Sequence, residues 1–165
     1  MVEIVRMEPE HIDQILHIEK VSFPQPWSRE TFLFEVVLNQ LADYVVALHD
    51  NFLVGYGGMW LVLDEAHVTN IAVHPLHRNK GIGRRILQEL IRRASGRGLK
   101  QMTLEVRPSN SPARKLYEEL GFVQRGVRKH YYQDNNEDAI IMWLDNLTEF
   151  PELPSRADRT TDGHG

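Results

Sequence analysis

The chain has no cysteine among its 165 residues. That excludes a disulfide framework, a thiolate metal site and any acyl-cysteine intermediate. It also lacks a run approaching the roughly 20 apolar residues that a membrane-spanning helix needs. A surplus of positive charge is missing too. Acidic residues outnumber basic ones 23 to 19, the reverse of the balance that wraps nucleic acid. Met1-Val2-Glu3-Ile4 has neither the basic start nor the apolar stretch of a secretory signal. His74 and His77 stand three apart on a loop with no further ligands, so no metal is expected. From Pro151 onward hydrophobic residues all but vanish, leaving only Leu153 and Ala157. The expectation is one domain over residues 1–147 and a disordered tail over 148–165. The protein is expected to be cytoplasmic, with neither a membrane nor a nucleic acid as partner.

What is present alternates strand and helix signals. Val2 to Arg6 reads as an edge strand. Pro9 opens a helix with Ile12, Ile15, Leu16 and Ile18 at helical spacing, stopped by Pro24-Gln25-Pro26. Ser28 caps a second helix bearing Phe32, Leu33, Val36 and Val37. Tyr44 to Leu48 and Phe52 to Leu63 form a hairpin about Asp50-Asn51, and Gly55, Gly57 and Gly58 mark a bulge or a close approach. A strand from Ala66 to Val73 leads through a loop into a helix from Ile86 to Arg97, ended by Gly96 and Gly98. Then come a strand from Gln101 to Val106, a helix capped by Ser111-Pro112 and ended by Gly121, and closing strands Phe122 to Val127 and Ala139 to Leu144. A strand–helix–strand unit in one sheet requires a right-handed crossover and a parallel pair. The expected fold class is α/β (α+β), a mixed, mostly antiparallel sheet with a central parallel pair and helices on both faces.

The loop between Val73 and the following helix is the most informative stretch. It carries Arg78, Lys80, Gly81, Ile82, Gly83 and Arg84. Unpaired amides at a helix N-terminus favour an anion, and glycine lets that backbone approach a phosphate. The spacing is not the nucleotide P-loop, which needs Gly-x-x-x-x-Gly-Lys-Ser/Thr. It is not the dinucleotide fingerprint either, because Ile86 stands where a third glycine belongs.

Arg78-x-x-Gly81-x-Gly83 after Asn70-Ile71-Ala72-Val73 resembles the acetyl-CoA pyrophosphate loop of the GNAT-type N-acetyltransferases. Leu104-Glu105-Val106-Arg107-Pro108-Ser109-Asn110, then Ala113 through Phe122, resembles one bacterial subfamily, the ribosomal-protein alanine N-acetyltransferases. Phe23-Pro24-Gln25-Pro26-Trp27-Ser28, Tyr131-Tyr132 and Glu137 through Met142 match in order at family spacing. The resemblance runs from about Ile4 to Leu144. It implies a GNAT fold, acetyl-CoA as co-substrate, and a protein or peptide N-terminus, that of a ribosomal protein, as acceptor. It implies that the backbone of Ile71, Ala72 and Val73 pairs with the pantetheine arm. Arg78, Lys80, Gly81, Ile82, Gly83 and Arg84 would surround the pyrophosphate. Asn110 would touch the cofactor's amide region, its alternative being a turn or cap.

Glu105, an acid at a strand end, is the candidate general base. An α-amino group titrates at about 7.7–8.0, so a carboxylate acting through one water suffices to free its lone pair. Its alternative is a structural hydrogen bond. Tyr117 is the candidate general acid for the departing thiolate, its alternative being a core position. Trp27, Tyr44, Tyr131 and Tyr132 are candidates for the acceptor groove, each equally readable as core. Glu35 and Asp43 read as solvated charges or as a lure for a basic peptide. Rival functions are acetylation of a lysine or small amine on the same fold, and a non-catalytic acyl-CoA-binding regulator.

Overall fold

The computed structural model describes residues 1–147, so the tail expected over 148–165 lies outside the described residues. Strands Val2–Arg6 (β1), Ala42–His49 (β2), Phe52–Val62 (β3), Glu65–Val73 (β4), Gln101–Val106 (β5), Val123–Arg128 (β6) and Ala139–Leu144 (β7) form one sheet in the order β1-β2-β3-β4-β5-β7-β6. Every neighbouring pair is antiparallel except β4 and β5. Helix α1 (Ile12–Ser22) follows a 3-10 turn at Pro9–His11, and α2 (Arg29–Leu33) runs on into a π-helical turn at Phe34–Leu38. Helix α3 (Ile82–Gly96) makes the crossover, and α4 (Ser111–Glu119) follows β5.

Local chemistry explains these elements. Asp50 and Asn51 both take positive φ, 51° and 68°, the two-residue hairpin turn whose twist matches its strands. Ser28 accepts the Thr31 N–H at 3.2 Å and starts α2. Helix α3 begins at Ile82, four residues before the apolar spacing from Ile86 suggested. Gly81, at φ 80°, is its cap, and its first turn is mostly glycine and arginine, invisible to a hydrophobic pattern. The cap of α4 is Asn110 rather than Ser111-Pro112. Its Oδ1 accepts the Ala113 N–H at 3.3 Å, which puts Ser111 and Pro112 in the first two helical positions.

The sheet serves two cores. Ile82, Ile86, Leu87, Leu90, Ile91 and Ala94 of α3 pack on Val45, Ala47, Val54, Met59, Met102 and Leu104, with Ala113, Tyr117 and Leu120 of α4 at the margin. On the opposite face Ile12, Ile15, Ile18 and Phe32 pack on Tyr44, Val46, Leu53, Tyr56 and Ala72. Period-two alternation sends successive β2 residues to opposite cores. In β4 that parity inverts. Gly58 opposes Asn70 while Met59 opposes Val68, which leaves Thr69 as a bulge. Val68 therefore joins the α3 core, and Ala72, four residues on, joins the other.

Gly58 sits beneath the Tyr44 ring. A Cβ there would lie 2.0 Å from ring carbons. Tyr44 cannot swing aside freely, because its hydroxyl donates to Glu35 at 2.9 Å. Gly58→Ala is expected to cost about 1–3 kcal/mol by overpacking. Chemical denaturation checks this, and the cost should shrink in a Tyr44→Ala background.

Candidate active site

The site follows from how β4 and β5 pair. Only Glu65–Gln101, Ala66–Met102 and His67–Thr103 are in register. Beyond them the two strands part. On its β5 side, Val68 to Val73 has no strand partner, while its other edge stays bonded to β3. Ile71, Ala72 and Val73 thus present an edge with no strand partner to an open wedge, the Val73 carbonyl being taken by Arg78. An extended chain can add to such an edge by main-chain hydrogen bonds.

The wedge ends at the N-terminus of α3. The first helical bond runs from the Arg85 N–H to the Gly81 carbonyl at 3.1 Å, so the amides of Ile82, Gly83 and Arg84 are left for a ligand. Nothing lies within 4 Å of where a Gly81 Cβ would stand, and a Gly83 Cβ would only graze Val73 and Leu116 at 3.8 and 3.9 Å. The approach to those amides is open. Arg78 donates through Nε to the Val73 carbonyl at 3.0 Å and reaches Ser22 at 3.3 Å, folding the loop onto the strand end. The Arg84 guanidinium pairs with Glu119 of α4, so its offering to an anion is its amide. Lys80 is exposed and makes no ion pair among the described residues. A strand edge, a bare helix terminus and a lysine fit a pantetheine arm followed by a diphosphate. Asn110 spends its carbonyl oxygen on the α4 cap, and its amide NH2 makes no hydrogen bond among the described residues.

Glu105 and Thr103 project to the face of α1 and α2, since Met102, Leu104 and Val106 fill the α3 core. The Glu105 side chain is only 12% exposed, and one oxygen lies 2.6 Å from His67 Nε2. Tyr117 approaches from the other face. It packs on the α3 core with its ring 5.9 Å from Phe122, and burial pushes its phenol up to about 12. It therefore keeps its proton at neutral pH, as a general acid must. Tyr132 ties the two sides together electrostatically. Burial pushes it up to about 12, and the nearby Glu105 and Tyr117 are among the groups that reinforce this against Arg107.

The loop bearing Tyr131 and Tyr132 is fastened by a residue the sequence offered only as part of a motif. Arg107 lies flat on the Tyr132 ring, 3.8 Å from its centre, and binds Asp134 at 2.9 Å and Asn135 at 3.1 Å. Glu137 accepts from the Ser109 amide at 2.9 Å and hydroxyl at 3.0 Å, which holds its carboxyl below the usual range. Tyr131 is exposed and stands edge-on to Tyr132 at 5.0 Å. On the far wall, Trp27 packs on Phe32 at 5.3 Å, and its amide donates to Glu19 at 2.9 Å. Glu19 is buried and also accepts from the Tyr56 hydroxyl. Burial raises its carboxyl, and these hydrogen bonds oppose the rise.

Two expectations need correction, and one candidate takes its alternative. Tyr44, 4% exposed, is packed as core. It is locked between Glu35, Thr69 and the glycine strand. Glu35 and Asp43 are not solvated surface charges. Glu35 is 4% exposed and gathers Tyr44, Trp60 and Asn39, while Asp43 is buried against Arg93 and Arg97. Burying acids in this way is tolerated only where donors surround them. His67 was not singled out. Its one sequence signal was parity within β4, which acquires meaning only once the β4–β5 register is known. Among the described residues no group of three histidines or acids is placed to hold a metal, and no helix is long and apolar enough to cross a membrane.

The family model of the acetyltransferase (GNAT) family matches residues 12–122. The chain is 38% identical over 145 residues to the ribosomal protein bS18-alanine N-acetyltransferase of Escherichia coli K12, covering 86% of this chain and 95% of that one. It is 41% identical over 138 residues, 84% of this chain and 91% of the other, to a Bacillus subtilis 168 protein given the same name provisionally. The crystal structure of the ribosomal-protein-S18-alanine N-acetyltransferase from Escherichia coli superposes with a TM-score of 0.82 at 34% identity, covering 94% of this chain and all of that one.

Two substitutions test the two halves of the site separately. Gly83→Val should fill the approach to the α3 amides and weaken acetyl-CoA binding while the melting temperature holds, read by titration calorimetry. Arg107→Ala should release the Tyr131–Tyr132 loop. It is expected to raise KM for an acceptor peptide by about tenfold, the worth of a charged hydrogen bond, and to leave acetyl-CoA affinity unchanged.

Proposed function

The chain belongs to the GNAT acetyltransferase family, and on that premise we propose that it acetylates the N-terminal alanine of a small-subunit ribosomal protein. As a member of that family it is an acetyl-CoA-dependent N-acetyltransferase. The acceptor class places the reaction in the cytoplasm, where ribosomal proteins are made. The observation that carries the reading is the wedge, with a nearly buried carboxylate on its peptide side and an unpaired strand edge leading to a bare helix terminus on its cofactor side.

The roles follow from placement. The β4 edge at Ile71, Ala72 and Val73 and the α3 amides hold acetyl-CoA extended, with its thioester at the opening. The peptide N-terminus enters from the α1–α2 face, between Trp27 and the Tyr131–Tyr132 loop. Glu105 takes a proton from the α-ammonium, directly or through one water, and the freed nitrogen attacks the thioester carbonyl. A main-chain N–H near Val73 stabilises the developing oxyanion. Tyr117 gives its proton to the departing sulfur. Both substrates occupy the site together, and the chain has no cysteine to carry the acetyl group between them.

An α-amine acceptor suits this machinery better than a lysine. The α-amine titrates about two to three units lower, so one carboxylate can free it near neutral pH. Mass spectrometry should find acetylation of an alanine-first peptide and none of an N-blocked peptide carrying an internal lysine. Reversed products would overturn the acceptor assignment. Glu105→Gln and Tyr117→Phe should each lower kcat by about 100-fold or more with acetyl-CoA affinity retained. Unchanged turnover in both would remove them from the chemistry.

A further inference from the structure

We propose that His67 is a second proton-handling residue, forming with Glu105 a dyad that carries the amine's proton out of the wedge. This rests on the reading of Glu105 as general base. His67 and Thr103 are the last residues in register before β4 and β5 part. His67 Nε2 lies 2.6 Å from Glu105 Oε2, a bond that bridges the apex of the wedge. That leaves the other Glu105 oxygen to meet the amine.

The contrast in exposure gives the pair a direction. Glu105 is sheltered, while the His67 side chain is 34% exposed. A proton left on a sheltered carboxyl would stop the base from working again. An adjoining imidazole with an edge toward water removes it. The step balances. An N–H bond of the ammonium breaks and a Glu105 O–H forms. The new O–H is on the oxygen that meets the amine, while the proton already shared between Oε2 and Nε2 moves fully onto Nε2 of the Nδ1–H tautomer and the Nδ1 proton passes to solvent.

The surroundings hold the imidazole without competing for it. Trp60 of β3 meets the His67 ring edge-on at 6.2 Å and 90°, and its own N–H is committed to Glu35 of the π-turn. Tyr44 of β2 also spends its hydroxyl on Glu35. On the other side Glu105 and Tyr117 of α4 both act on Tyr132, whose face Arg107 covers.

His67→Gln can still donate a hydrogen bond to Glu105 but cannot pass a proton, so it separates relay from mere support. Saturating kcat should fall at least about tenfold, with melting temperature and acetyl-CoA affinity unchanged. In His67→Ala, added imidazole should restore part of the lost turnover. Full activity in His67→Gln, or a loss in His67→Ala that imidazole does not repair, overturns the relay. Glu105→Gln run alongside keeps the two ideas apart. If it is inactive while His67→Gln is not, the base stands and the relay falls. If it is active, both fall.

Discussion

Three paired residues in each of two parallel strands set the whole site. Hydrogen bonding joins β4 to β5 only as far as His67 and Thr103. A sheet that stayed zipped would bury the β4 edge against β5 and leave nowhere for a thioester. By opening at mid-sheet it offers backbone donors and acceptors at no cost in secondary structure, since β4 still bonds to β3 and β5 to β7. The helices keep the opening from collapsing. Helix α3 packs on one face and α1 with α2 on the other, so a gap in the middle has a firm lining on each side.

The bulge at Thr69 is the companion feature. It turns β4 over just where the strands diverge. His67, before the bulge, and Ala72, after it, both project away from the α3 core, although strict alternation would place them on opposite faces. The acceptor side of the wedge is thereby lined by residues from both halves of the strand. Beside the bulge, in β3, a Cβ at Gly57 would lie 2.6 Å from Ile86 of α3 and 3.3 Å from Ile71 of β4, so that approach too requires glycine.

Much of this was legible in the sequence. The β2–β3 hairpin, the parallel crossover, the glycine loop ahead of α3 and β5 carry strong local signals, and the structure has each of them. The start of α3 was hidden, because a first turn of glycine and arginine has no apolar period. The Asn110 cap was masked by the more conspicuous Ser111-Pro112. The larger gap concerns buried charge. Glu19, Glu35 and Asp43 look like ordinary surface acids in a linear sequence, and their donors lie 4 to 54 positions away along the chain. The same holds for His67, which meets Glu105 across 38 residues. Periodicity gives the face on which a residue stands, whereas pairing between distant segments needs register, which it does not supply.

Arg107 and Glu137 have a consequence for selectivity. Together they rivet the β5–α4 connection to the tyrosine loop before any peptide arrives. A wall that is already ordered spends little conformational entropy on receiving its guest, so more of the contact energy is available for recognition. On the proposed reading, in which this wall borders the acceptor's way in, a stiff mouth would also refuse by shape, because it would not swell around a bulky leading side chain. The entrance should therefore act as a gauge, admitting small first residues and turning larger ones away by exclusion rather than by weaker attraction.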